Sequence, residues 1–295
     1  MTAKMHADQA DTDVALVRRL VAEQFPQWSQ LPIRAVDSHG TDHDIYRLGA
    51  EFAVRMPRMA GGVGQAAQEA RWLPFMAPQL PLAVPVQRAA GAPDHGYPFA
   101  WAVYEWLPGR HAQEGRLDLD TAAVDLAAFI RALQTIPTAD APPVRPEGRG
   151  GLLAVHDDAV HRAVTELGDR ADAAAILRAW EESLAVGPWD ASPVWIHGDL
   201  LPGNLLELDG RLSAVIDFAT LGLGDPATDL LPAWNLFDQD SRRRFRTELA
   251  VDDASWLRGR GWALLQAVVA LPYYWDTNPG MVGQATRALE HVLAG

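Results

Sequence analysis

The sequence predicts an α+β fold in which a small, strand-rich first part precedes a larger, mainly helical second part. Three observations predict it. Within the first hundred residues, short apolar runs alternate with polar turns and only two segments have helical spacing. From residue 119 onward, apolar residues recur near a period of 3.6 in seven segments. Between the two regimes stands Leu107-Pro108-Gly109-Arg110, a sharp break. A first domain is therefore expected over 1–107, a hinge about 103–109, and a second domain over 108–295.

Residues 12–25 have helical spacing and stop at Pro26. The runs 33–36 and 51–56 predict antiparallel strands, flanking a polar, glycine-containing turn through 38–47. Ala67, Ala70, Trp72, Leu73 and Met76 predict a helix over 64–76, ended by Pro78 and Pro81. Strands near 84–88 and 98–105 complete the first domain. In the second, helices are expected over 119–135, 157–167, 171–186, 226–236, 239–249, 253–273 and 281–293. Residues 137–151 are rich in proline and glycine and predict a loop. Short strands are expected at 194–196, 204–208 and 212–217, the last two joined by Asp209-Gly210, a two-residue hairpin turn. No internal repeat or low-complexity segment occurs.

Composition narrows the chemistry. The 295-residue chain has no cysteine, which excludes disulfides, thiolate metal sites and cysteine nucleophiles. No apolar signal core follows the polar N-terminus, and no run of about 18 apolar residues occurs, so a cytoplasmic protein is expected. A net charge of −13 disfavours nucleic acid and anionic membrane as partners. It suits a cationic small molecule, or simply solubility. Lys4 is the single lysine, so no Gly-Lys-Ser/Thr phosphate loop exists and any phosphate-clamping cation must be arginine.

The richest stretch is 195–218, WIHGDLLPGNLLELDGRLSAVIDF. It places Asp199, then Asn204, then Asp217, each flanked by apolar segments. Such hard oxygen groups suit phosphoryl transfer from Mg-ATP: one carboxylate receives the substrate hydroxyl, while a carboxamide and a second carboxylate hold magnesium against the phosphates. A hairpin at Asp209-Gly210 returns its outer ends to one place, so Asn204 and Asp217 can reach a common ion. Each residue alone is an ordinary turn former or cap; the joint spacing is the signal. His197 is expected to brace the loop. Downstream, Asp225-Pro226 predicts a helix N-cap. Asp229 is expected to accept hydrogen bonds from the catalytic-loop backbone.

His197-Gly-Asp199-Leu-x-Pro-Gly-Asn204, Asp217-Phe and Gly224-Asp-Pro-x-x-Asp229-Leu resemble the aminoglycoside phosphotransferase family, at lower specificity over nearly the whole chain. The resemblance implies a two-lobed protein-kinase-like fold, with a small antiparallel-sheet N-lobe and a larger, mainly helical C-lobe. It implies Asp199 as catalytic base and Asn204 and Asp217 as magnesium ligands. Phe52-Ala-Val-Arg55-Met-Pro57 then resembles the strand carrying the phosphate-gripping cation, with Arg55 in the lysine position and Glu69 as its partner. The loop 38–48 is expected to cover the phosphates through backbone amides and Ser38 or Thr41, with Gly40 its one glycine before Gly49. Glu105, Trp106 and Leu107 fall where a backbone would meet the adenine edge.

Most of the eleven tryptophans are expected in the core. Tyr273, Tyr274, Trp275 and Asp276, with Asn278 beside them, form the aromatic–polar cluster expected to touch the acceptor. The expected activity is ATP- and Mg-dependent transfer of the γ-phosphate to a hydroxyl of a small molecule. An aminoglycoside or other antibiotic, and a metabolic acceptor of choline, homoserine or sugar type, both stay open, as does a catalytically weak pseudokinase acting as a binding module. The step from Asp217 to Asp229 is too short for a long peptide-binding loop, which argues against a protein kinase. The sequence leaves oligomeric state undetermined.

Overall fold

A computed structural model describes residues 10–36, 42–112 and 117–295. It divides into two compact units. The first comprises residues up to Pro78, Ala83–Pro108 and Val215–Ala219; the second comprises Gln79–Leu82, Gly109–Ala214 and Thr220–Gly295.

The first unit holds α1 (Val14–Gln24), β1 (Ile33–Val36), β2 (His43–Leu48), β3 (Phe52–Pro57), α2 (Val63–Met76), β4 (Gln87–Gly91) and β5 (Trp101–Glu105). The strands form one antiparallel sheet in the order β1-β2-β3-β5-β4. Helix α1 begins where Asp13 accepts the Leu16 amide at 2.6 Å. It buries Leu16, Val17, Leu20 and Val21 in a core shared with Leu48, Val54, Met56, Trp101 and Val103.

The turn expected through 38–47 is strand from residue 43 onward. His43–Leu48 is the strand β2, paired along its whole length with β3. Its polar letters mask an inward side: Tyr46 and Leu48, two apart on one face, are buried. The turn to β3 comes later, at 49–51. Strand β4 starts after Pro85 and β5 after Pro98, because proline has no N–H for the ladder.

The second unit continues with β6 (Arg110–His111), α3 (Leu119–Thr135), α4 (Asp157–Leu167), α5 (Ala173–Ala185), β7 (Val194–Ile196), β8 (Leu205–Leu208), β9 (Arg211–Val215), β10 (Gly222–Gly224), α6 (Pro232–Asn235), α7 (Gln239–Leu249), α8 (Asp253–Tyr274) and α9 (Pro279–Ala294). The last residue of β9 clusters with the first unit. Helix α8 packs against α4, α5 and α9 and buries Trp262, Leu264, Val268 and Leu271. A helix apolar on nearly every side belongs at the centre. Among the described residues, no helix is long and apolar enough to cross a membrane.

Two small sheets flank the segment 195–218: β6-β8-β9 and the pair β7-β10. The hairpin β8–β9 turns on Asp209 (φ 53°) and Gly210 (φ 83°), the two positive φ values that a type I′ turn requires. The helix expected over 226–236 resolves into a 3-10 turn, Pro226–Leu230, and the short α6. Pro232 cannot donate within a continuous helix and its ring would clash with the preceding turn. Strands β6 and β10 are too short to leave a periodic signal; pairing with β8 and β7 makes them.

Asp225 caps the 3-10 turn through the Ala227 amide (2.9 Å) and pairs with Arg258 Nε at 2.7 Å. Both side chains are nearly excluded from solvent. Burial pushes the Asp225 carboxyl up, against the pull of the Ala227 amide and Arg258. Replacing Arg258 by methionine leaves a buried carboxylate without its cation, and a loss of about 3 kcal/mol in unfolding free energy is expected from urea denaturation.

Candidate active site

Three of the sequence-predicted residues meet in the first unit. Arg55, on β3, donates from Nη1 to Glu69 Oε1 (3.0 Å) and Oε2 (3.1 Å). Glu69, on α2, is 1% exposed. A carboxylate so deep needs partners on both oxygens. Oε1 also accepts from Gln65 Nε2 (2.9 Å) and the Phe218 amide (3.3 Å), while Oε2 takes the Tyr104 hydroxyl at 2.5 Å. Gln65 continues to Asp217, donating to Oδ1 at 2.7 Å. Gln68 Nε2 reaches the Phe218 carbonyl at 3.3 Å. Residues 65, 68 and 69 lie on one helix face, and that face grips 217–218.

The charges agree with this arrangement. Burial works against a charged Arg55, but Glu69 and Asp217 outweigh it and hold the guanidinium above the usual arginine range. Burial, then Glu69, pushes the Tyr104 phenol up. Asp217 adopts φ 64°, a left-handed backbone that aspartate tolerates better than most residues. Its Oδ1 is taken by Gln65, which leaves Oδ2 as the oxygen that can bind a cation.

The second unit holds Asp199, Asn204 and Asp229. Asp229 is fully buried, and its oxygens accept the backbone amides of His197 (2.9 Å) and Gly198 (2.7 Å). Burial pushes the Asp229 carboxyl up, against the pull of His197 and of those amides. His197 Nδ1 accepts the Asp199 amide at 3.2 Å, and its carbonyl accepts Thr220 Oγ1 at 2.7 Å. The loop is thus braced from both sides. Asp199 Oδ2 accepts Asn204 Nδ2 at 3.0 Å, and Oδ1 accepts Gln266 Nε2 at 2.7 Å. Asn204 Nδ2 also bonds the Asp199 carbonyl at 2.8 Å. Its amide nitrogen is therefore occupied, and Oδ1 is the atom that can face a metal. A carboxamide oxygen and a carboxylate oxygen are the hard donors magnesium takes.

Other expected residues fall differently. Ser38, Gly40 and Thr41 lie outside the described residues. The Glu105 amide donates to Val86 and the Trp106 amide to Glu51 (2.9 and 2.7 Å). Of the three hinge residues, Leu107 alone keeps its amide unbonded among the described residues. The Trp106 ring lies 3.9 Å under the Arg47 guanidinium. Tyr273, Tyr274, Trp275 and Asp276 stand at the end of α8. Tyr273 and Tyr274 meet edge to face at 4.7 Å, and Arg170 covers Trp275 at 4.8 Å. Gln266 shares the helical face of Tyr273, seven residues earlier and about 10 Å along the axis. The α8 residue that bonds Asp199 is thus two turns before the expected cluster.

Sequence reasoning passed over Gln65, Gln266 and the bond of the Tyr104 side chain to Glu69. Gln65 had a signal, being four residues before Glu69 on the same helix. Gln266 had none, since 67 residues separate it from Asp199.

His43, on β2, is 8% exposed, and burial with Arg55 lowers its pKa from 6.5 to about 4. Between those values the unfolded chain binds a proton that the folded chain refuses. Stability is therefore complete above about pH 6.5 and falls as pH drops toward 4, by up to about 3 kcal/mol. Urea midpoints across this range are expected to fall less steeply for His43→Gln than for the wild type.

Comparison with known proteins fits this geometry. A sequence model of the phosphotransferase enzyme family (APH) matches residues 34–265. An aminoglycoside 3'-phosphotransferase of Escherichia coli is 27% identical over 117 residues, 39% of this chain and 42% of that protein. The match thus spans less than half of that relative's length. An APH(2'') solved as its GDP and kanamycin complex superposes with a TM-score of 0.72 at 18% identity, covering 95% of this chain and 98% of that one. The macrolide 2'-phosphotransferase MphH of Brachybacterium faecium, an apoenzyme structure, gives 0.63 at 23% identity, with the same coverages. Those likenesses carry the protein-kinase-like fold, an antiparallel sheet region followed by a helical one. The family match covers most of the chain, and the chain belongs to the phosphotransferase enzyme family.

Proposed function

We propose that this chain transfers the γ-phosphoryl group of ATP to a hydroxyl of a small molecule. The observation that carries the reading is the state of Asp199. Gln266 and Asn204 hold one oxygen each, and the buried Asp229 fixes the backbone before it. A carboxylate set this firmly in a half-open position orients an acceptor hydroxyl and takes its proton. Asn204 and Asp217 would hold magnesium, which when bound neutralises phosphate charge. Arg55 spends Nη1 on Glu69, leaving Nη2 and Nε for the non-transferred phosphates. The Leu107 amide is the donor available to the adenine edge. ATP supply makes the cytoplasm the compartment for this reaction, and the acidic surface disfavours nucleic acid as a partner.

For the acceptor, an antibiotic hydroxyl is the reading supported by relatives that act on aminoglycosides and macrolides. A recess at the seam of α8 and α9, beside Gln266, is lined by Leu201, Ala263, Ala267, Ala270, Met281 and Gln284. Its free space of about 20 Å³ holds about one water, so it does not choose between a macrolide and an aminoglycoside. Tyr273 and its neighbours stand farther along the same face of α8.

An ADP-release assay with ATP or GTP and a panel of macrolides, aminoglycosides, choline, homoserine and sugars tests both levels. Turnover on an aminoglycoside or a macrolide is expected, with a loss of about 10³-fold or more in Asp199→Asn. Undiminished turnover in that variant refutes Asp199 as base. Turnover confined to metabolic alcohols refutes the acceptor assignment.

A further inference from the structure

Arg149 stands in the loop before α4, and its Nη2 lies 3.8 Å from Asp199 Oδ1. That is a charge contact, too long for a hydrogen bond. Among the described residues the Arg149 guanidinium makes no hydrogen bond, although its side chain is only 29% exposed. The more enclosed arginines of this chain are occupied. Arg55 is spent on Glu69, Arg258 on Asp225 and Ser255, and Arg260 on Glu182 and the Val292 carbonyl. A guanidinium offers five donors in a rigid fork. Here, among the described residues, they meet no partner except the charge of Asp199.

The backbone beneath Arg149 is fixed. Gly148 donates to the Arg145 carbonyl at 2.9 Å, Leu152 to Pro146 at 2.9 Å, and Asp225 to Gly150 at 2.8 Å. At Gly150, φ is +72° and a Cβ would meet Ile196 Cδ1 at 2.3 Å. Only glycine lets the loop lie this close to β7, the strand that leads into His197 and Asp199. The loop therefore delivers one cation to one place.

The reaction supplies an anion for that place. The acceptor oxygen bonds to the γ-phosphorus as the bond to the β,γ-bridging oxygen breaks. ADP leaves with that electron pair, and the hydroxyl proton passes to Asp199. Negative charge meanwhile spreads over three equatorial oxygens. The reacting oxygen must sit within hydrogen-bond reach of Asp199 and about 3–3.5 Å from phosphorus. Those equatorial oxygens then come within a few ångströms of a group 3.8 Å from Asp199. The segment 199–204, Asp-Leu-Leu-Pro-Gly-Asn, carries no cation of its own.

We propose that Arg149 is a catalytic residue that contacts the transferring phosphoryl group and neutralises its charge in the transition state. The assignment rests on the phosphotransferase reading above. It adds a cation to the phosphoryl-transfer site that Arg55, placed for the non-transferred phosphates, does not supply.

The test does not require the acceptor. Slow hydrolysis of Mg-ATP, with water in place of the hydroxyl, is measured for the full chain and for Arg149→Ala, Arg149→Lys and Asp199→Asn. Calorimetry gives affinities for Mg-ADP alone and for Mg-ADP with aluminium fluoride, which mimics the transferring group. Arg149→Ala is expected to bind ADP within about twofold of wild type, to lose about 10²-fold in affinity for the fluoride complex, and to lose about 10²–10³-fold in kcat. Arg149→Lys recovers part of both losses, and added guanidinium ion recovers part of the activity of Arg149→Ala. Wild-type kcat and fluoride-complex affinity in Arg149→Ala overturn the proposal and leave the phosphotransferase reading standing. Equal losses for ADP and the fluoride complex, in both Arg149 variants, assign Arg149 to the fold and also overturn it. A wild type that binds no nucleotide removes the reading itself, and this assignment with it.

Discussion

A carboxylate with no access to water cannot be left alone, and Glu69 is that carboxylate in the first unit. Its burial would cost several kcal/mol if unpaired. The surrounding sheet and helix are arranged so that it never is. Arg55 comes from β3, Tyr104 from β5, Gln65 from its own helix, and the Phe218 amide from beyond β9. Four stretches of chain far apart in sequence are thereby forced into one register. Gln65 passes that constraint to Asp217 through a single amide group with a donor on each side. The Asp217 position therefore depends on the integrity of the buried Arg55–Glu69 pair.

Asp229 does for the second unit what Glu69 does for the first. It is equally buried, and it spends both oxygens on backbone amides rather than on a side-chain cation. Backbone amides cannot be moved without moving the loop, so the residues just before Asp199 are located by a rigid donor–acceptor match. The carboxylate of Asp199 is then oriented by two neutral amides, Asn204 and Gln266. Neutral donors fix orientation without adding the full charge of a bonded arginine. Arg149 stays just outside hydrogen-bond range, which preserves its donors for another anion.

Much of this was legible in the sequence, for local reasons. Helices α3, α4 and α7 follow their apolar periodicity to the residue, and Asp209-Gly210 announces its turn because few other pairs accept two positive φ values. Asp199, Asn204, Asp217 and Asp229 were legible because their spacing is joint. Strand β2 was hidden by polar letters on its outward side, while the single helix expected over 226–236 followed an apolar pattern that Pro232 interrupts. Strands β6 and β10 exist only through pairing. Gln266 and Arg149 are the clearest losses: one is 67 residues after Asp199, which it bonds, the other 50 residues before it. Neither belongs to any local pattern, and tertiary structure alone brings them together.

Charge distribution decides what such a site can accept. The chain carries −13 overall, yet the groups described around Asp199 are two amides and one arginine. Surface charge of that sign acts at range and is screened over about 8–10 Å at physiological salt. Within the site, the short-range groups prevail. The cation described beside Asp199 is Arg149, set inside a chain that is acidic overall. With its single lysine in the first four residues, the chain has no flexible ammonium elsewhere, so its side-chain cations are arginines whose reach is set by their backbone. In the first unit Arg55 is fixed by a sheet and a buried carboxylate, and in the second Arg149 is fixed by a glycine loop against β7.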